Sequence, residues 1–200
     1  MKEKKTVMEN LLVLPVGISE SEEGSELTLV EAAKANLAVF EILYERYVTR
    51  VYQYLRTRVD SEEEAKDLLC QVFLRALEAL PRYRARGTPF GAWIFQIARH
   101  IATDSYRRRN RNVSWDLLPD VVPSSPEQNP ETVLLRQEAC LRLQHMLTGL
   151  HPYKRELLAL RFAAGLSSGE IAQVVGKSPA SVKKQLTRLL HTLKEAYDEA

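Results

Sequence analysis

Cysteine is nearly absent from this chain: Cys70 and Cys140 are the whole complement. That is too few for a disulfide framework, and both lie in apolar helical patterns, which points to a reducing compartment. Long apolar runs are missing as well. Near the start, Leu11-Leu12-Val13-Leu14 follows Lys2, Lys4 and Lys5 but is bounded by Glu9 and Pro15, a poor secretion signal. Nothing approaches the roughly 20 apolar residues that span a bilayer, so the expected location is the cytoplasm, without membrane contact. Glycine-rich phosphate loops and nucleophile motifs are lacking, and His100, His145, His151 and His191 are scattered. Cys140, His145 and His151 follow one another at gaps of five and six, which does not keep metal ligands on one helical face. The expectation is therefore a protein that is not an enzyme and has no metal and no cofactor.

Net charge is also small, +2 over 200 residues, so total charge does not identify a partner. Its distribution does more. From Arg82 to Arg111 the charged residues are Arg82, Arg84, Arg86, Arg99, Arg107, Arg108, Arg109 and Arg111 against the single acid Asp104. Such a local excess attracts a polyanion. With 45% hydrophobic and 27% charged residues, the composition is that of a soluble chain able to build one medium or two small cores.

Hydrophobic periodicity organises the chain. Residues 1–35, rich in Glu, Ser and Gly around Ser19 to Glu26, read as a flexible N-terminal extension. Leu37, Phe40, Leu43, Tyr44, Tyr47, Val48, Val51 and Leu55 then fall at spacings of three and four and predict a helix. Ser61 and Glu64 form a capping box before a second stripe, Ala65, Leu68, Leu69, Val72, Phe73, Ala76, Leu77 and Leu80, which Pro81 stops. Thr88-Pro89 opens a third helix lined by Phe90, Trp93, Ile94, Ile97, Ala98 and Ile101. These three make a small bundle over 36–111. Over 112–132 the pattern fails: Pro119, Pro123, Pro126 and Pro130 forbid helix and Asp116, Asp120, Glu127 and Glu131 make the stretch acidic. This reads as a flexible acidic linker able to reach about 65 Å at most. Helical patterning resumes at Val133 and fills 133–200, with Leu134, Leu141, Leu143, Met146, Leu147 and Leu150. The expected fold class is all-α, two small helical domains on one tether.

The sharpest local signal runs from Leu166 to Leu186. Ser167 and Glu170 make another capping box, Ile171, Ala172, Val174 and Val175 supply an apolar face, and Gly176 suits a left-handed helix end. Ser178 caps the next helix with Pro179 at its first position. Val182, Leu186, Leu189 or Leu190, and Leu193 point inward, leaving Ser181, Lys183, Lys184, Thr187 and Arg188 outside. This is a helix-turn-helix whose second helix fits the DNA major groove.

Several phrases together resemble the extracytoplasmic-function group of bacterial RNA polymerase sigma factors in the sigma-70 family. Ala65-Lys-Asp-Leu-Leu-Cys-Gln-Val-Phe-Leu-Arg-Ala is similar to the segment that docks on the polymerase clamp helices. Pro89-Phe-Gly-Ala-Trp-Ile-Phe-Gln-Ile-Ala-Arg-His-Ile-Ala-Thr-Asp, followed by an arginine run, resembles the promoter-melting segment. Leu166 to Leu193 resembles the C-terminal helix-turn-helix. The resemblance implies a sigma2-like bundle and a sigma4-like domain that bring core RNA polymerase to promoter DNA, with an anti-sigma factor as a further partner. It assigns polymerase docking to Asp67, Gln71 and Arg75. It assigns −10 recognition and melting of the single strand to Arg84, Arg86, Arg99, His100, Arg107 and Arg108, and −35 duplex recognition to Ser181, Lys183, Lys184, Thr187 and Arg188. Phe90 and Trp93 belong to the core stripe, whereas Tyr83 and Tyr106 are candidates for base stacking. Departures from the family pattern are Cys70 for Gln, Gln71 for Glu, Gln96 for Arg, His100 for Asn and Gln185 for Arg. The rival reading is a stand-alone helix-turn-helix regulator, which needs neither the docking helix nor the Arg82–Arg111 region.

Overall fold

The computed structural model describes residues 20–84, 87–109, 138 and 141–199, and every element among them is helical. Helix α1 spans Glu20–Ala35, α2 Leu37–Arg56, α3 Glu62–Ala79 and α4 Phe90–Arg109. After a helical stretch over 141–148 come α5 (Pro152–Leu158), a π turn (Ala159–Ala163), α6 (Ser168–Val175) and α7 (Pro179–Glu199).

Local chemistry sets the boundaries. Asn36 sits in extended backbone between α1 and α2, and its side chain accepts from the Ala38 N–H at 3.0 Å, which turns one long helix into two. Ser61 Oγ accepts from the Glu64 N–H at 3.1 Å, while the Glu64 carboxylate reaches across to take the Ser105 hydroxyl at 3.0 Å. Pro81 ends α3 through a 3-10 turn, Leu80–Arg82. The expected stripes then form the core. Leu43, Tyr47, Val51, Tyr54 and Leu55 of α2 meet Ala65, Leu68, Val72, Phe73 and Ala76 of α3, and Phe90, Ile94 and Ala98 of α4. Leu37 departs from the pattern, being 65% exposed. Tyr44 lies at the core's edge, its ring 4.6 Å from Phe73.

The flexible extension expected over 1–35 needs correction over its second half, because residues 20–35 are helix α1. Val30 and Ala33 are buried, and so is Glu26, whose carboxylate accepts the Tyr47 hydroxyl at 2.6 Å and faces Arg46 at 3.5 Å. The apolar side of α1 is too sparse to read alone; a charged residue is part of what it buries. Residues 1–19 and the acidic linker, 112–132, lie outside the described residues.

The second body contains the helix-turn-helix as expected. Ser167 and Glu170 close a reciprocal capping box, at 2.8 Å and 3.2 Å. Gly176 ends α6 at φ 69° and ψ 40°, a left-handed conformation that costs a side chain energy and glycine nothing. Ser178 Oγ accepts from the Ser181 N–H at 3.3 Å to start α7. Leu158, Leu189 and Leu193 form a small cluster with Met146, Leu147, Leu150, Phe162 and Leu190.

The two bodies do not stand apart. One continuous core runs from α2 and α4 into Leu157, Leu160, Ala164, Leu166, Ile171 and Val174. Helix α4 is thereby buried on two sides, which explains why Phe95, off the expected stripe, is fully enclosed, with its ring edge-on to Tyr54 at 5.6 Å. Gly91 sits at a tight contact: a Cβ there would stand 3.0 Å from the Tyr47 hydroxyl and 3.1 Å from Glu170 Oε1.

Candidate polymerase-docking and nucleic-acid surfaces

Asp67, Gln71 and Arg75 project from the outer face of α3 at spacings of four, and all three are exposed. Arg75 reaches Glu78 at 3.3 Å, a surface pair that holds little energy. Between them Cys70 is exposed and Leu74 is 60% exposed. The stripe on the opposite side of α3 is core, so this row is a polar face with an apolar member, carried on a rigid support.

The residues expected to handle the −10 strand divide. On α4, His100 and Arg107 are exposed and lie seven residues apart, two turns along one face. His100 Nδ1 lies 3.0 Å from the Gln96 carbonyl oxygen. Arg108 is exposed, with Nε donating to the Asp104 carbonyl at 3.3 Å. Arg84 is exposed and reaches the carbonyls of Pro81 and Tyr83 at 3.5 Å and 3.4 Å. Arg86 lies outside the described residues. Arg99 turns the other way: it is half-buried against the second body, its Nε 3.8 Å from Glu156 Oε1.

Tyr83 is not available for base stacking in this structure. It is 4% exposed, packs on Phe90 and Trp93, and donates its hydroxyl to the Thr88 carbonyl at 2.7 Å. Burial pushes its phenol up to about 12. An aromatic between arginines looks like a nucleic-acid contact in one dimension; here it ties Thr88 to the core. Trp93 and Phe90 pack against each other as core residues. Tyr106 is half-buried.

On α7, Lys183, Lys184, Thr187 and Arg188 are exposed and Ser181 is half-buried, while Val182, Leu186 and Leu189 face inward. Ser181 Oγ accepts from Gln185 Nε2 at 2.8 Å, and Thr187 Oγ1 donates to the Lys183 carbonyl at 3.0 Å. The cationic ends of Lys183, Lys184 and Arg188 form the outer edge of a helix that follows a tight turn, as groove entry requires.

A set of polar contacts that the linear reading did not find joins the two bodies. Glu156 of α5 accepts from the Tyr54 hydroxyl at 2.9 Å, and its other oxygen is bonded by Arg58. Both partners are nearly enclosed, with side chains 5% and 13% exposed for Arg58 and Glu156. Desolvation raises the Tyr54 phenol, and its Tyr54 and Glu156 neighbours hold the Arg58 guanidinium protonated against that same burial. Arg50 donates to the Ala164 and Gly165 carbonyls at 2.7 Å and 3.3 Å. Gln96 Nε2 donates to the Gln173 carbonyl at 3.0 Å, and Gln173 Nε2 donates to the Gly87 carbonyl at 2.5 Å. Among the described residues no group of three His, Cys, Asp or Glu side chains could hold a metal ion, and no helix is long and apolar enough to cross a membrane.

Residues 43–112 match the model for Sigma-70 region 2, and residues 140–193 match that for Sigma-70, region 4. The chain is 32% identical over 176 residues to the ECF RNA polymerase sigma factor BldN of Streptomyces coelicolor, covering 88% of this chain and 67% of that protein. It is 31% identical over 192 residues to the ECF RNA polymerase sigma factor SigD of Mycobacterium tuberculosis, covering 92% and 90%. Among solved structures it shares the fold of CnrH in complex with the cytosolic domain of CnrY, with a TM-score of 0.62 at 23% identity over 87% of this chain and 97% of that one.

Proposed function

Because this chain belongs to the extracytoplasmic-function sigma factors of the sigma-70 family, non-catalytic subunits that direct RNA polymerase to promoters, we propose how its own residues divide that work. The α3 face of Asp67, Gln71 and Arg75 docks on core polymerase, Asp67 offering a carboxylate to a basic partner. The 84–88 loop with Arg84 and Arg86, together with Arg99, His100, Arg107 and Arg108, holds the opened −10 strand by its phosphates. Strand opening then follows from stronger binding to unstacked DNA than to duplex, with no nucleotide hydrolysed. Ser181, Lys183, Lys184, Thr187 and Arg188 read the −35 duplex from the major groove. The site of action is the cytoplasm, and family membership supports an anti-sigma factor as a second protein partner.

The observation that supports this division is that Asp67, Gln71, His100, Arg107, Lys183, Lys184 and Arg188 are exposed on helices whose other side is core. Asp67→Arg tests it. The full-length variant is expected to lose at least tenfold in affinity for core polymerase while duplex DNA binding stays within twofold. Parallel loss of both activities refutes the docking assignment in favour of misfolding. Undiminished polymerase binding refutes it outright.

A further inference from the structure

We propose that Gln185 is a base-reading residue of α7, held by Ser181 so that its side-chain amide selects an adenine in the upstream duplex. Gln185 lies outside the row already assigned to the −35 duplex, and its role rests on that assignment of α7.

The local geometry is built from two successive hydrogen bonds. Ser178 Oγ accepts from the Ser181 N–H at 3.3 Å, which sets Ser181 in the first turn of α7. Gln185 stands one turn later on the same side, and its Nε2 donates to Ser181 Oγ at 2.8 Å. Both side chains are half-buried at the flank of the helix, between the inward Val182 and Leu189 and the exposed Lys184 and Arg188. Early residues of the second helix in a helix-turn-helix are the ones that reach base edges. Cations spaced four apart beside the pair suit the phosphates that flank such a base.

The chemistry of the amide then names the base. A glutamine amide carries two N–H donors and one carbonyl acceptor. With one N–H given to Ser181, the other N–H and the carbonyl oxygen remain, side by side in one plane. That donor and acceptor complement the N7 acceptor and N6 donor that adenine presents in the major groove. Gln185 is the only amide side chain in α7, so no other residue of the helix offers this pattern. Thr187 differs, because its hydroxyl is given to the Lys183 carbonyl at 3.0 Å. The bond to Ser181 also restrains a long side chain before DNA arrives, which lowers the entropy lost on contact. Ser181 is in this sense a positioning residue for Gln185.

The test uses holoenzyme reconstituted from core polymerase and the full-length chain, either wild type, Gln185→Ala, Gln185→Arg or Ser181→Ala. Each selects from a duplex promoter pool randomised over about ten upstream base pairs, and the bound fraction is sequenced. Wild type is expected to prefer adenine at one position. Gln185→Ala reduces that preference about tenfold, within the range for a lost bidentate pair, while preferences elsewhere change less than twofold. Gln185→Arg moves the preference at that same position to guanine, whose O6 and N7 arginine takes in bidentate fashion. Ser181→Ala weakens the adenine preference about threefold and gains no guanine. An adenine preference that survives intact in Gln185→Ala overturns the proposal. So does an equal loss at every position in both Gln185 variants, which a phosphate contact or a folding defect would give. Failure of the α7 assignment itself looks different. In that case Lys183→Ala with Lys184→Ala keeps the wild-type salt dependence of duplex binding and wild type shows no upstream preference at all, whereas failure of the Gln185 role alone leaves that preference in place.

Discussion

Replacing Lys183 and Lys184 by alanine gives the most quantitative handle on promoter contact. Both side chains are exposed on α7, and the one hydrogen bond nearby uses the Lys183 carbonyl, not its amine. Alanine is the best helix former, so the helix itself is undisturbed and the change isolates two charges. If each lysine neutralises one phosphate, each releases about 0.9 counterion equivalents on binding, and the log–log salt slope of the variant is shallower by about 1.8. Over a fourfold rise in salt, from about 50 to 200 mM, the advantage of wild type over the variant then shrinks by about 12-fold. Fluorescence anisotropy with a −35-containing duplex at several salt concentrations measures both slopes. Parallel lines would refute the reasoning, for they would mean that neither lysine meets a phosphate and that α7 presents another face to DNA.

Two predictions concern the scaffold. Gly176→Ala meets nothing within 4 Å, so its cost is only that of the left-handed backbone, about 1 kcal/mol; thermal unfolding should fall by about 2–4 °C, and a larger drop would reveal a packing role instead. Glu26→Gln keeps an acceptor for the Tyr47 hydroxyl but removes a charge that burial disfavours. Because burial raises the Glu26 carboxyl above its ordinary range, the stability it contributes is present below the unfolded value and lost as pH rises through the folded one. The Gln variant should therefore melt higher at neutral pH, by about 2–4 °C if the relief is ~1 kcal/mol, with the gain shrinking as pH falls into the carboxylate range. A lower melting temperature at pH 7 would show that Arg46 and Tyr47 more than offset the desolvation.

Much of what depends on partners within about four residues was determined by the sequence itself. Ser167 with Glu170, Gly176, Ser178 with Pro179, and the stripes of α2, α3 and α4 take their meaning from helical spacing and end chemistry, which a linear pattern carries in full. They were enough to place the helix-turn-helix and the outward row Lys183, Lys184, Thr187 and Arg188. The tertiary structure alone decided what distant contacts assign. Tyr83 became a core pin because Phe90 and Trp93 were there to receive it, and α1 is seated on the bundle through buried Val30 and Ala33 and the Glu26 carboxylate that accepts the Tyr47 hydroxyl. Arg99 left the outward face because Glu156, on a helix of the other body, stands beside it. Side chains 57 to 98 positions apart, such as Arg99 or Arg58 with Glu156, have no periodicity to reveal them; only packing two apolar surfaces together brings such groups within bonding distance.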